Sequence, residues 1–392
     1  MFAVLSTIRK ASALLLSGLL ASLLAACQGP ALPDSGSGGT RTSATVPVAL
    51  LVPHGASNPQ EQKLARDLEN AARLASADLD GVRIDLRVYG TAGDAAQARN
   101  AAENAVADGA RIILGPLHAE SANAVSVAVA NQNVNVLAFS NNPTIAGGNL
   151  FILGQTFRNT AKRLAGFAAR QGKTRIMAVH GDNLAGRLGR EAIEQAVADT
   201  GTSLAGSVGY QFSQQGVVSA VPRIKATATS EGADAIFLTA NTAGALPLLT
   251  QMLPEVGLDQ ERIQFIGLTR WDLPPQTLEL PGVQGGWFAL PDPQRAAQFR
   301  SRYEAAHGER PHALAGLAYD GIAAIGALAG SGRRDALGRA SLTQGAGFAG
   351  VNGIFRLRPD GTNERGLAVA TIRDNKVEIL APAPRSFGGA GF

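Results

Sequence analysis

The sequence predicts an α/β fold: two doubly wound, mostly parallel sheets forming two lobes about a central crevice, with antiparallel hairpins near the C-terminal end. Three observations carry this. Short apolar runs alternate with amphipathic helical stretches along most of the chain, the rhythm of a parallel sheet wound with helices. The 392 residues are 45% hydrophobic, enough for two cores, since a single core stops growing near about 250 residues. Aromatic residues make up only 5% against 46 glycines, so the cores must be built from Ala, Val, Ile and Leu.

The stretch from Ala110 to Ser121 organises the rest. Its apolar run Ile112-Ile113-Leu114 halts at Gly115-Pro116, and a small-residue helix follows at once. Proline donates no N–H to a continuing ladder and glycine accepts unusual dihedrals, so this is a strand ending on a turn. In sheets wound with helices, ligands sit outside the carboxyl ends of the strands, so the turn faces the crevice.

The same unit repeats on either side. The run 48–52 reads as a buried strand ended by Pro53-His54-Gly55. A helix opens with Asn58 as N-cap, Pro59 at its first position and Glu61 reaching back, and Leu64, Leu68, Ala71, Ala72, Ala75 and Leu79 follow at helical spacing. Val82, Ile84, Leu86 and Val88 alternate with charged residues, which marks an edge strand. Helix 94–108 leads into strand 112–114. Beyond it the pattern gives helix 120–131, strands 136–139 and 150–153, helix 159–171, strand 176–179, helix 184–200 and strand 204–210. Helix 217–231, strand 235–238, helix 243–253 and strand 264–267 continue it. Helices 294–307 and 312–329 come late and are expected to return to the first lobe. From Gly353 the pattern changes to hairpins, with strands 354–357, 367–373 and 376–380 separated by Arg358-Pro359-Asp360-Gly361 and Asp374-Asn375.

The N-terminal end carries a separate message. Arg9 and Lys10 precede an apolar run to Ala26 with no acidic residue, the charged and apolar regions of a secretory signal. The run is too short and too rich in Ala and Ser for a membrane span, which needs roughly 20 predominantly apolar residues. Leu24-Ala25-Ala26-Cys27 resembles the lipobox of bacterial lipoproteins, which makes Cys27, the single cysteine, the expected site of lipid attachment. The Gly-, Ser- and Pro-rich stretch after it cannot bury enough apolar surface to fold. The expected organisation is a signal segment over 1–26, a flexible tether over 27–45, a first lobe over 46–156 plus 290–334, a second over 157–289 plus 335–381, and a disordered tail over 382–392. Losing the signal removes two basic residues and no acid, so the formal charge falls from +4 to +2. That leaves no bulk electrostatic case for nucleic acid.

At this point the chain resembles the type I periplasmic binding proteins, the leucine/isoleucine/valine-binding superfamily, over nearly all of 46–380. The matching segments are Asp108 to Pro116, Phe139-Ser140-Asn141-Asn142-Pro143, Gly232-Ala233-Asp234-Ala235-Ile236-Phe237 and the closing run Gly353 to Gly361. Within that superfamily, Leu268 to Asp272 and Leu280 to Pro293 look like the branch of penicillin-binding-protein activator lipoproteins. The resemblance implies a crevice between Leu117, His118, Ser121, Ser140, Asn141, Asn142 and Thr144 on one lobe and Asp182, Asn183, Asn241, Thr269, Arg270, Trp271 and Asp272 on the other. In amino-acid receptors of this kind, a second-lobe carboxylate holds the ligand ammonium near the place of Thr269-Arg270-Trp271. Here that place offers a cation and an indole, and an unpaired ammonium is costly to bury.

Other chemistry is excluded by context. Gly345 to Gly350 matches G-x-G-x-x-G but precedes a strand instead of following one. Gly172-Lys173-Thr174 follows a helix, where glycine is an expected cap. His118 and Glu120 lack the downstream cysteines a deaminase zinc needs, and His54, His180, His307 and His312 are scattered. No catalytic residue, metal site or cofactor is expected. The function expected from the resemblance is a non-enzymatic lipoprotein, anchored in the outer membrane and facing the periplasm, that activates a penicillin-binding protein. The alternative is the solute-binding receptor of an ABC importer for amino acids or related small polar ligands.

Overall fold

A computed structural model describes residues 44–388. The signal segment, Cys27 and most of the expected tether lie outside the described residues, so lipidation is not addressed by the fold. Strand β1 (Ala44–Val52) joins β2 (Val82–Gly90), β3 (Ile112–Leu114), β4 (Asn135–Ala138) and β5 (Leu150–Ile152) in a five-stranded sheet. The order is β2-β1-β3-β4-β5, every pair is parallel, and β2 is the edge strand its alternation predicts.

Strand periodicity assigns the two faces. Val48, Leu50, Val52, Ile112 and Leu114 point to one side and pack on helix α1 (Pro59–Ala77) through Leu64, Leu68 and Ala71. Ala49, Leu51, Ile113 and Val136 point to the other and pack on α2 (Ala95–Ala107) and α3 (Ala119–Ala128). Asn58 caps α1 by accepting from the Gln60 N–H at 2.9 Å. Glu61, expected to reach back to that cap, instead lies 3.5 Å from His118.

The second sheet follows the same logic. Helix α4 (Phe157–Arg170), strand β6 (Arg175–Gly181), α5 (Leu184–Asp199), β7 (Ser203–Tyr210), α6 (Gln214–Ser230), β8 (Ala235–Leu238), α7 (Leu246–Glu255), β9 (Gln264–Gly267) and β10 (Trp287–Leu290) alternate. Helix α4 closes a full capping box between Thr156 and Asn159. Its sheet has seven strands, of which β7, β6, β8, β9 and β10 run parallel. Helices α4 and α5 cover one face with Leu164 and Ile193, and α6 and α7 the other with Ile224 and Leu249.

The chain then returns to the first lobe with α8 (Pro293–His307) and α9 (Gly316–Ala329), whose Tyr303, Ala318 and Ile322 join the β1 core. Residues 335–381, expected wholly in the second lobe, divide. Leu342, together with Phe348 of β11 (Phe348–Gly350) and Phe355 and Leu357 of β12 (Gly353–Leu357), packs into the first core. With β13 (Asn363–Arg365) these strands make a small antiparallel sheet. Only β14 (Ala368–Arg373) and β15 (Lys376–Ala381) extend the second sheet, β14 pairing antiparallel with β10 and β15 with β14. The reason is packing: these large apolar side chains are buried in the first core with Ala318 and Ile322 of α9.

Residues 382–388, expected to be disordered, are held in place. Arg163 donates to Pro382 O at 3.0 Å, Ala383 is buried in the second core, and the Arg356 guanidinium lies 4.5 Å from the Phe387 ring centroid. Residues 389–392 lie outside the described residues. No helix among the described residues is long and apolar enough to cross a membrane.

Three passages join the lobes: after β5, after β10, and between β13 and β14. The last is bonded to the first: Asn363 Nδ2 donates to Ile152 O at 2.7 Å and Gly154 O at 2.9 Å, and Arg365 Nε donates to Leu153 O at 2.8 Å. The second is bonded to the turn between β11 and β12, Asp292 N donating to Asn352 O at 3.1 Å.

Candidate functional site: a crevice between the two sheets

The turn that ends β3 is fixed by a close approach. Gly115 has φ +94°, and a Cβ there would lie 2.1 Å from Leu51 O, so only glycine fits. The chain emerges as Leu117, half-buried at the mouth of the crevice. The end of β4 supplies Phe139, Ser140 and Asn141, and the end of β5 supplies Gly154 and Gln155. From the second lobe, the loop after β9 brings Arg270 and Leu273. These groups line one cavity of about 310 Å³, closed by Pro291, Leu314 and Arg365 among others. The strand-end rule therefore locates it.

Its polar groups are few. Ser140 is buried, and its Oγ accepts from the Asn142 N–H at 3.2 Å. Arg270 Nε donates to Asp272 Oδ1 at 2.8 Å, and its Nη2 donates to Asp272 Oδ2. Arg365 forms part of the floor. It is buried, donates from Nη1 to Asp320 Oδ2 at 3.1 Å, and lies with its guanidinium carbon 5.0 Å from the Phe355 ring centroid. Asp320 is wholly buried and also accepts from Val351 N at 2.8 Å and Asn352 Nδ2 at 3.1 Å.

Of the residues expected at the crevice, Leu117, Ser140, Asn141 and Arg270 line this cavity. His118 and Ser121 line a separate cleft beside Glu61 and Gly93, where Ser121 Oγ is buried and makes no hydrogen bond. Asn142 and Thr144 turn inward on each other, Thr144 N and Oγ1 both donating to Asn142 Oδ1 at 3.0 and 2.9 Å. Asn183 caps α5, Asp182 and Asn241 are exposed, and Thr269 Oγ1 donates to Ala240 O at 3.0 Å. Asp272 stands behind Arg270 as its partner.

Trp271 is a correction. It is 0% exposed and sits in the second core, not on the crevice wall, because Gly267 and Gly286 leave a slot for its ring. Trp287 and Phe288 also pack within the second lobe, Trp287 edge-on to Phe167 at 4.9 Å between ring centroids and Phe288 in the core beside β14.

Sequence reasoning missed Gln155, Leu273, Leu314 and Arg365. Gln155 follows a strand and was legible by the same rule as Ser140. Arg365 sits in the polar triplet Asn-Glu-Arg, which carries no strand signal of its own. A larger cavity, about 520 Å³, lies behind the lobes between α4, α5 and β13. It is walled mainly by helix side chains, and charges along it are paired, with Lys162 to Glu364 at 3.2 Å and Arg158 to Asp199 at 3.0 Å. The smaller crevice is therefore the better candidate.

A family model described as periplasmic binding protein matches residues 45–376. The chain belongs to this family. No curated protein matches it. Among solved structures, periplasmic binding proteins and their relatives share the fold at low identity. One is described as a branched-chain amino acid ABC transporter protein from Rhodospirillum rubrum, with 19% identity, 86% of this chain and 100% of that one covered, and a TM-score of 0.71. A second is an ABC transporter substrate-binding protein from Desulfitobacterium hafniense in complex with Leu, at 18%, 86%, 100% and 0.63. A third is a solute binding protein of an ABC transporter from Rhodopseudomonas palustris in complex with 3,4-dihydroxy benzoic acid, at 17%, 87%, 98% and 0.58.

Proposed function

We propose that the protein is the solute-binding receptor of an ABC importer, with no chemistry of its own, working in the periplasm and tethered to a membrane through a lipid on Cys27. The supporting observation is the crevice itself. Leu273 and Leu314 are 39% and 38% exposed, come from opposite lobes, and line one cavity whose only charged groups are at its edge and floor. Apolar side chains left open to water across a cleft are what a closing receptor covers with its ligand. The structural relatives solved with Leu and with 3,4-dihydroxy benzoic acid are described as substrate- or solute-binding proteins of ABC transporters, which favours a solute-binding role here.

The activator reading rests on the resemblance of Leu268 to Asp272 and Leu280 to Pro293, the first of which contains Trp271. Trp271 has no exposed surface to offer, so solute capture ranks first. The test is thermal denaturation of the mature protein against a panel of amino acids, organic acids and neutral solutes. A bound solute at a hundredfold excess over Kd should stabilise by about 2.7 kcal/mol. A panel without any shift, with recovery of a penicillin-binding protein from solubilised membranes, would reverse the ranking.

A further inference from the structure

We infer that the crevice takes a compact apolar carboxylate without an ammonium group, an organic acid and not an amino acid; this rests on the receptor reading above. The cavity lining contains two guanidiniums, Arg270 and Arg365, and no aspartate or glutamate. Arg365 is engaged at all three of its nitrogens: Nη1 donates to Asp320, and Nε and Nη2 donate to Leu153 O. Arg270 is not. Asp272 grips it side-on through Nε and Nη2, and no described residue accepts from Nη1. A guanidinium has five N–H groups, so its far edge still offers a pair of donors to the cavity, the geometry that holds a carboxylate bidentately.

The same arrangement rejects an ammonium. Both Asp272 oxygens are engaged by Arg270, and Asp272 does not itself line the cavity. A ligand cation would meet Arg270 instead of an anion, and burying it unpaired is costly. Leu273 beside Arg270 and Leu117, Phe139, Leu314 and Leu317 from the other lobe form most of the wall, so the body of the ligand is apolar. A volume near 310 Å³ suits a single ring or a short branched chain.

The test is isothermal titration of the full mature protein with benzoate, 4-methylpentanoate and 4-methyl-2-oxopentanoate, beside leucine and the other proteinogenic amino acids. 4-Methyl-2-oxopentanoate and leucine share a skeleton and differ at the ammonium. An acid of the panel is expected to bind at least tenfold more tightly than its amino-acid counterpart. Arg270→Gln should weaken that acid at least tenfold, and Arg270→Lys less, while the melting temperature of the unliganded variants reports folding separately. Binding of leucine or another amino acid as tight as the acids overturns the inference and leaves the receptor reading standing. So does binding of neutral solutes alone, or full affinity in Arg270→Gln. Absence of binding by every solute class fails the receptor reading itself.

Discussion

The indole of Trp271 fills the space over Gly267: a Cβ added there would lie 2.3 Å from Trp271 Nε1, and one added at Gly286 would lie 2.2 Å from Cζ3 of the same ring. The ring is thus held between the last residue of β9 and the residue just before β10. Gly267→Ala and Gly286→Ala should each destabilise by overpacking, by about 1–3 kcal/mol. Trp271→Ala should cost more, about 3–5 kcal/mol. Urea unfolding of the three variants checks the order, and a neutral Gly267→Ala would refute the slot.

Arg365 and Asp320 are both buried and bonded at 3.1 Å. Removing one partner strands the other. Arg365→Met should lose about 3–5 kcal/mol, and Asp320→Asn in the same background should recover part of it, because the uncompensated charge is then gone. Denaturant melts of the single and double variants decide this, additivity being the result that would contradict coupling.

Glu364 gives the fold an acid sensitivity. Burial alone would push its carboxyl up, but hydrogen bonds from Arg356 and Lys162, with the charges of Lys162 and Arg358, outweigh burial and hold it below the ordinary carboxylate range. Its folded pKa is depressed, so its contribution is fully present above the unfolded value of about 4.3 and is lost as pH falls through the folded one. Stability measured from pH 6 downward should therefore drop more steeply in the wild type than in Glu364→Gln, and parallel curves would exclude the role.

Cys27 carries the localisation reading. Fractionation of cells expressing Cys27→Ala should move the protein from the membrane to the soluble fraction, since a lipid anchor, and not the folded lobes, is expected to hold it. Retention in the membrane at wild-type level would end that reading.

Much of the fold was legible because period decides it. Strand residues at even and odd positions of 48–52 pack on opposite helices, and apolar runs bounded by Gly and Pro mark each strand of the parallel sheets. Length alone did not hide an element, since β3 and β5 hold only three residues each and were expected from their apolar runs. Strand β10 lies between glycines and a proline, and β11 and β13 carry Gly or polar residues in place of an apolar run; tertiary pairing, not local pattern, makes them strands. The site was half legible for a related reason. Strand-end position located Ser140, Asn141 and Arg270, but whether a large residue beside such a position faces the cleft or the core depends on distant glycines. Trp271 lies one residue from Arg270 and faces the other way.

The first and last passages between the lobes are stitched into one ribbon, because Asn363 and Arg365 tie the last to the first. Rotation about such a ribbon leaves those bonds intact, while sliding of one lobe past the other would break several buried bonds at once. Arg365 belongs both to that ribbon and to the cavity floor. The link between the lobes and the floor of the cavity thus share one side chain, so a substitution of Arg365 is expected to alter ligand affinity both by contact and through the resting balance of open and closed forms.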